Sequence, residues 1–137
     1  MRILAIDWGS KRIGLAISDP TGRIARPLGI IIHKSKHVDA ERIISFSIEN
    51  DVDTIIMGVT YDDENNLTPS GRSAKRLADE ISALFGKQVI LQDESFTTIQ
   101  AKEIQLQKGI SRLKRKGHQD DIAAVMLLLD YIEKNIL

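Results

Sequence analysis

The chain contains no cysteine, and this absence excludes disulfides, thiolate metal sites and cysteine nucleophiles together. Any metal ion must therefore be held by oxygen or imidazole ligands. Long hydrophobic runs are also missing: the longest, Ile122 to Leu129, is far shorter than the roughly 20 residues that a transmembrane helix needs. No basic, apolar and small-residue series of the kind found in leader peptides opens the chain. We therefore expect a cytoplasmic protein that does not contact membranes.

The balance of charge excludes a protein with a generally basic surface, because 19 basic residues face 19 acidic ones. The distribution is uneven, however, since no acidic residue occurs from Ile104 to Gln119. Five cations lie in that window: Lys108, Arg112, Lys114, Arg115 and Lys116. Such a window is typical of a loop that contacts an anion such as nucleic acid, and equally of an ordinary solvated loop.

The 137 residues suit a single domain, 1–137, because no repeat, linker or low-complexity tract divides them. Hydrophobic periodicity and turn signals predict the following elements in order. They are strands at Ile3–Asp7, Ile13–Ser18 and Ile24–His33, a helix at Asp39–Asn50, a strand at Asp53–Gly58, a loop at Val59–Gly71, a helix at Ser70–Phe85, a strand at Val89–Gln92, and helices at Thr98–Lys108 and Asp120–Lys134.

This order predicts an α/β fold with a mixed five-stranded sheet. Three antiparallel strands form a meander, two later strands run parallel to the first, and helices cover both faces. Right-handed crossovers would place the strands from Asp53 and Val89 beside the first strand. Ligands bind such sheets at the carboxyl ends of the parallel strands, and these ends carry Asp7, Gly58 and Glu94.

Three carboxylates are therefore candidates for one site: Asp7, Glu94 and Asp120. Asp120 begins the last helix and shares a face with Ala123 and Ala124, whose small side chains let that helix lie close to the sheet. Each residue also has an ordinary explanation, as a turn residue, an exposed acid after a strand or a helix N-terminal acid. If the three converge, their mutual repulsion favours a hard divalent cation, Mg²⁺ or Mn²⁺.

Three motifs in this sequence resemble those of one known family. They are the opening RILAIDWGSKRIGLAISD with its DxG turn, the central DESFTT and the closing DDIAAVMLLLDYI. Together they span nearly the whole chain and are similar to the YqgF/RuvX family of the RNase H-like superfamily. The sequence differs from the family pattern at Gly58-Val59-Thr60, where Gly-Leu-Pro is frequent, and at Ser95, where Arg is usual.

The resemblance implies an RNase H-like fold and a metal-dependent nuclease associated with 5′-end maturation of 16S rRNA, or a Holliday junction resolvase acting on branched DNA. The acidic positions of the family fall on Asp7, Glu94 and Asp120, with Asp121 as an alternative third ligand. Precursor rRNA, and through it ribosomal precursor particles, would be the partners. Lys11 and Arg12, beside Asp7, and the cations of the 108–116 window are candidate contacts to the nucleic acid.

Two other functions remain open at this point. One is a nucleic-acid-binding or ribosome-assembly factor whose catalytic site is idle. The other is an actin-like or sugar-kinase-like ATPase in which the DxG turn holds phosphate, although such enzymes close two domains over their nucleotide and this chain is short for that. The sequence does not fix the oligomeric state.

Overall fold

The computed structural model describes residues 1–94 and 119–136, the second range without the side chains of 119–121. The strands are β1 (Ile3–Asp7), β2 (Arg12–Ser18), β3 (Ala25–Ile32), β4 (Thr54–Val59) and β5 (Val89–Asp93). The helices are α1 (Lys36–Glu49), α2 (Pro69–Phe85) and α3 (Gln119–Asn135). The predicted helix at Thr98–Lys108 lies outside the described residues.

The five strands form one sheet in the order β3-β2-β1-β4-β5. Strands β1, β2 and β3 are antiparallel neighbours, while β4 runs parallel to β1 and β5 runs parallel to β4. The predicted mixed sheet is therefore confirmed. The predicted place of the last strand was wrong, because β2 and β4 already occupy both edges of β1 and the crossover through α2 adds β5 outside β4.

Side chains that alternate along the strands divide the core into two layers. One layer joins Leu4 and Ile6 of β1 to residues of α1 and α2, and the other joins Ile3 and Ala5 to residues of α3. Helices thus cover both faces of the sheet. The apolar run from Ile122 is mostly buried in α3, as predicted for a core helix.

Capping residues set where the first two helices begin. Ser35 precedes α1 and its Oγ accepts a hydrogen bond from the Val38 amide at 3.2 Å, so this helix starts before the predicted Asp39. Thr68 caps α2 in the same way, accepting from the Gly71 amide at 3.1 Å. Because β4 continues through Val59, the predicted long loop shortens at both ends.

Two large apolar residues of α1 and α2 are exposed. Ile48 is 64% exposed and Leu84 is 47% exposed. Ile48 follows the buried Ser47 and is rotated about 100° from it, so it points away from the sheet. Leu84 lies near the end of α2, beyond the last buried residue, Ile81. Within the described ranges, no helix is long and apolar enough to cross a membrane.

Candidate active site

Asp7 is the last residue of β1 and is half-buried. Ile3 and Ala5 of the same strand pack against α3. Because side chains alternate along a strand, Asp7 is on that same face of the sheet. It therefore stands at the carboxyl end of the central strand, on the side that α3 covers.

Glu94 follows β5, and its side chain crosses over the neighbouring strand β4. A Cβ atom added at Gly58 would lie 2.2 Å from Oε1 of Glu94, a distance too short for any real contact. Since β4 separates β5 from β1, this position brings the Glu94 carboxylate one strand closer to Asp7. The register supports this, because Met57 pairs with Ile6 and Gly58 is therefore level with Asp7.

The third predicted carboxylate, Asp120, is the second residue of α3, the helix that packs on the Asp7 face. Its side chain and that of Asp121 are not described, so a shared site with Asp7 and Glu94 stays a prediction. Within the described residues, no group of three acidic or histidine side chains is close enough to hold a metal. Even so, the chemistry of two carboxylates at one sheet edge suits a hard divalent cation.

In the turn between β1 and β2, the backbone at Gly9 lies very close to the backbone of Arg12. A Cβ at Gly9 would lie 2.4 Å from the carbonyl oxygen of Arg12, so no other residue fits this turn without a shift. Lys11 and Arg12 are exposed there, beside a shallow cavity at the same end of β1 as Asp7. The five cations predicted to contact nucleic acid, Lys108, Arg112, Lys114, Arg115 and Lys116, lie outside the described residues.

Glu94 also lines a cavity of about 160 Å³, which we call the Glu94 cavity. Its walls include Trp8, Gly58, Thr60 and Ser70. Backbone groups hold this corner together, since the Glu94 amide donates to the carbonyl of Val59 at 3.0 Å. The end of β4 and the start of α2 thus shape the space beside the carboxylate.

A second cavity, of about 230 Å³, is also lined by Trp8. We call it the Trp8 pocket and define it by Trp8, His33, Lys36, Ser73 and Arg76. No sequence pattern predicted this pocket. Its parts come from the ends of β1 and β3, the start of α1 and the first half of α2, and no motif connects them.

A buried carboxylate that contacts a histidine ring lines the Trp8 pocket. Asp39 is 0% exposed, and its two oxygens contact Nδ1 of His33 and the backbone amide of Lys34, the latter at 3.0 Å. The His33 ring in turn lies edge-on to Trp8, with 5.9 Å between the ring centres. A buried carboxylate therefore fixes both rings. His33 follows β3 whereas Asp39 lies in α1, so no repeat within one element links them and the sequence carried no signal for the pair.

Comparison with known proteins shows strong similarity along the whole chain. A family model described as "RuvX: Holliday junction resolvase" matches residues 1–134. A protein of Thermoanaerobacter pseudethanolicus named "Putative pre-16S rRNA nuclease" is 39% identical over 134 residues, covering 97% of this chain and 96% of its own length. A protein of Clostridium perfringens with the same name is 36% identical, covering 98% of each chain.

Solved structures show the same fold at low sequence identity. The RuvC protein of Thermus thermophilus, solved with a Holliday junction substrate, aligns with a TM-score of 0.61 at 14% identity, over 98% of this chain and 96% of its own. The Fowlpox virus resolvase, solved with Holliday junction DNA, aligns with a TM-score of 0.59 at 19% identity over the full length of both chains. The predicted RNase H-like architecture is therefore confirmed.

Proposed function

The chain belongs to the RuvX family, and on this basis we propose that it is a nuclease that hydrolyses phosphodiester bonds in the 5′-end maturation of precursor 16S rRNA. Its relatives, similar over nearly their whole length, carry the name of a pre-16S rRNA nuclease. The predicted role in ribosome biogenesis follows from the same similarity.

The observation that carries this proposal is the position of Glu94 over Gly58. A glycine in β4 leaves room for the carboxylate of the next strand, where a methyl group would overlap it. Packing alone gives no reason to direct an acidic side chain across a strand towards another acid. The arrangement is instead what an oxygen-lined cation site at a sheet edge requires.

Asp7 and Glu94 would hold a divalent ion, Mg²⁺ or Mn²⁺, with Asp120 as the third ligand and Asp121 as its alternative. Such an ion, when bound, supplies Lewis-acid activation of water and stabilisation of the leaving oxygen. The carboxylates fit this role because they accept bonds but donate none when ionised.

Other residues of the chain would position the nucleic acid. The turn that follows β1 carries Lys11 and Arg12, which would place positive charge for a phosphate at the end of this strand. The cations of the 108–116 window would contact further phosphates of the backbone. These contacts are independent of sequence, so they suit RNA and branched DNA alike.

A second candidate function is the resolution of Holliday junctions, which the description of the family model favours. Cleaving both strands of a junction requires two active sites, hence a dimer. Trimming one RNA end requires one site. The oligomeric state during turnover thus separates the two candidates.

The decisive experiment compares cleavage of a 16S precursor 5′ end and of a four-way DNA junction, each with Mn²⁺ and with chelator. We expect metal-dependent cleavage of the RNA. Replacing Asp7→Asn should slow it at least about a hundred-fold, since even residues that merely support metal ligands account for 10- to 100-fold. The variant should keep the circular dichroism spectrum of the parent.

Asp79→Asn is the matched control, because it removes one exposed helical carboxylate that lines neither cavity. Its cleavage rate should equal that of the parent. If Asp7→Asn also cleaves at the parental rate, the assignment of Asp7 is wrong. Binding of precursor RNA without cleavage above an Asp7→Asn, Glu94→Gln, Asp120→Asn triple variant would instead identify an idle assembly factor.

A further inference from the structure

We propose that the Trp8 pocket binds one unpaired nucleotide of the substrate strand, next to the bond that is cut. This inference rests on the proposed function, because it assumes that a nucleic acid reaches the carboxylates. It adds a subsite for a base and its phosphate, and it restricts the substrate to strands that offer an unpaired nucleotide there.

The pocket offers an aromatic wall that is held in place. Trp8 is half-buried and packs against the core layer beneath α1 and α2. Trp8 forms a T-shaped ring contact with His33, and His33 is in turn held by its contact with the Asp39 carboxylate. A rigid indole loses little entropy when a base stacks on it, and such stacking is the usual way in which proteins hold unpaired bases.

The pocket also offers positive charge. Lys36 and Arg76 both line it, from α1 and α2 respectively. Asp39 is buried and bonded to His33 and the Lys34 amide, whereas both cations are exposed, so a phosphate arriving from solvent meets the cations first. Lys36 is 3.8 Å from Glu80 with half of its side chain exposed, so it can leave that weak pair for a phosphate.

Size and position favour a single nucleotide. A volume of about 230 Å³ is slightly below the roughly 300 Å³ at which pockets enclose drug-sized ligands, so the pocket suits a group of the size of one base. Trp8 also lines the Glu94 cavity, so the two spaces share one wall. A nucleotide in the Trp8 pocket would therefore place its neighbouring phosphate next to the Glu94 cavity. A base inside a duplex is stacked on both faces and would have to leave the helix to enter.

The chain provides its own probe, since Trp8 is its sole tryptophan. A base stacked on the indole should quench its fluorescence. We expect saturable quenching by a single-stranded RNA of about 12 nucleotides, a length within the usual range of single-strand sites, in chelator to prevent cleavage. The same RNA paired to its complement should bind with little quenching.

Variants then test how much the cations and the tryptophan of the pocket each contribute to RNA binding. Binding is measured by the fluorescence anisotropy of labelled RNA. Lys36→Ala combined with Arg76→Ala should weaken single-strand binding about ten-fold and make the log-log salt slope shallower by about 0.7, the value for one phosphate. Trp8→Leu should also weaken it about ten-fold. Lys75→Ala combined with Lys87→Ala removes the same charge from exposed positions outside the pocket and should match the parent.

The outcomes separate this inference from the proposed function. If RNA binds but the fluorescence of Trp8 does not change, and the pocket variants behave like the control, the subsite is wrong while the nuclease proposal stands. Equal quenching by the paired RNA would overturn the requirement for an unpaired nucleotide. If neither RNA nor junction DNA binds at all, the proposed function fails and the subsite with it.

Discussion

Two glycines beside the candidate site meet different kinds of neighbours. A Cβ at Gly58 would overlap the end of the Glu94 side chain, which is flexible and can rotate away. A Cβ at Gly71, in the first turn of α2, would lie 2.6 Å from the carbonyl oxygen of Thr60, and this backbone atom cannot move without shifting the strand end. The same substitution should therefore affect function at one position and stability at the other.

We accordingly predict opposite results for Gly58→Ala and Gly71→Ala. Gly58→Ala should displace the Glu94 carboxylate and lower cleavage at least about ten-fold, with little change in melting temperature. Gly71→Ala should lower the free energy of unfolding by about 1–3 kcal/mol through overpacking. Cleavage rates and urea unfolding of the two variants check this. Unchanged cleavage by a folded Gly58→Ala protein would contradict a role for the position of Glu94.

At the residue scale, the sequence predicted strand-end acids better than it predicted contacts between elements. Asp7 and Glu94 could be placed at one edge because short apolar strands end at both. Asp39 and Arg76 could not be assigned to a pocket, because that pocket depends on how β3, α1 and α2 pack. Arg76 and Glu80 have the four-residue spacing of a helical ion pair, yet Glu80 bonds to His37 and Arg76 donates to Ser73.

At the element scale, Glu80 joins the two helices on one face of the sheet. It projects from α2 and contacts Nδ1 of His37 in α1 at 3.2 Å, while Glu41 contacts the other ring nitrogen of His37 at 2.5 Å. The hydrogen bond to Glu80, followed by the charge of Glu41, raises the pKa of His37 above its ordinary value of 6.5. Protonation of His37 is therefore coupled to the packing of α1 on α2.

The sign of this coupling gives a pH prediction. A pKa that is higher in the folded state stabilises the fold below about pH 6.5, and this contribution is lost as the pH rises through the folded pKa. His37→Gln should therefore melt at a lower temperature than the parent at about pH 5.5 and at the same temperature at about pH 9. Thermal melts across this range test it. An equal difference at both pH values would show that the ion pairs with His37 do not contribute.

The order of elements was predictable because turn and periodicity signals are local. The position of β5 in the sheet was not predictable from local signals, because they fit every right-handed crossover equally well. The position depends instead on which edge of the sheet is free. The first residue of α1 was missed for a related reason. Ser35 acts as a cap through its own hydrogen bond to Val38, whereas the apolar repeat that marks the helix begins later.

At the scale of the whole molecule, a protein whose net charge is zero must bind a polyanion through a local cluster of cations. The chain has a formal net charge of zero, so long-range attraction to nucleic acid is weak and binding depends on where the cations lie. The candidate carboxylates would themselves repel phosphates in the absence of metal. Cations near the site are therefore needed, and the 108–116 window, Lys11 and Arg12 are the proposed sources.

Salt dependence tests whether the basic window supplies these contacts. Five phosphate contacts on a single strand give a log-log affinity slope of roughly −3.5, so the Lys114→Ala, Arg115→Ala, Lys116→Ala variant should have a slope shallower by about 2. Replacing Arg23, Lys75 and Lys87 removes three other exposed charges and should leave the slope unchanged. Equal slopes for both triple variants would show that the cations of the 108–116 window do not contact the phosphates. Nucleic acid would then have to be held by Lys11, Arg12 and the Trp8 pocket, at the edge of the sheet where Asp7 stands.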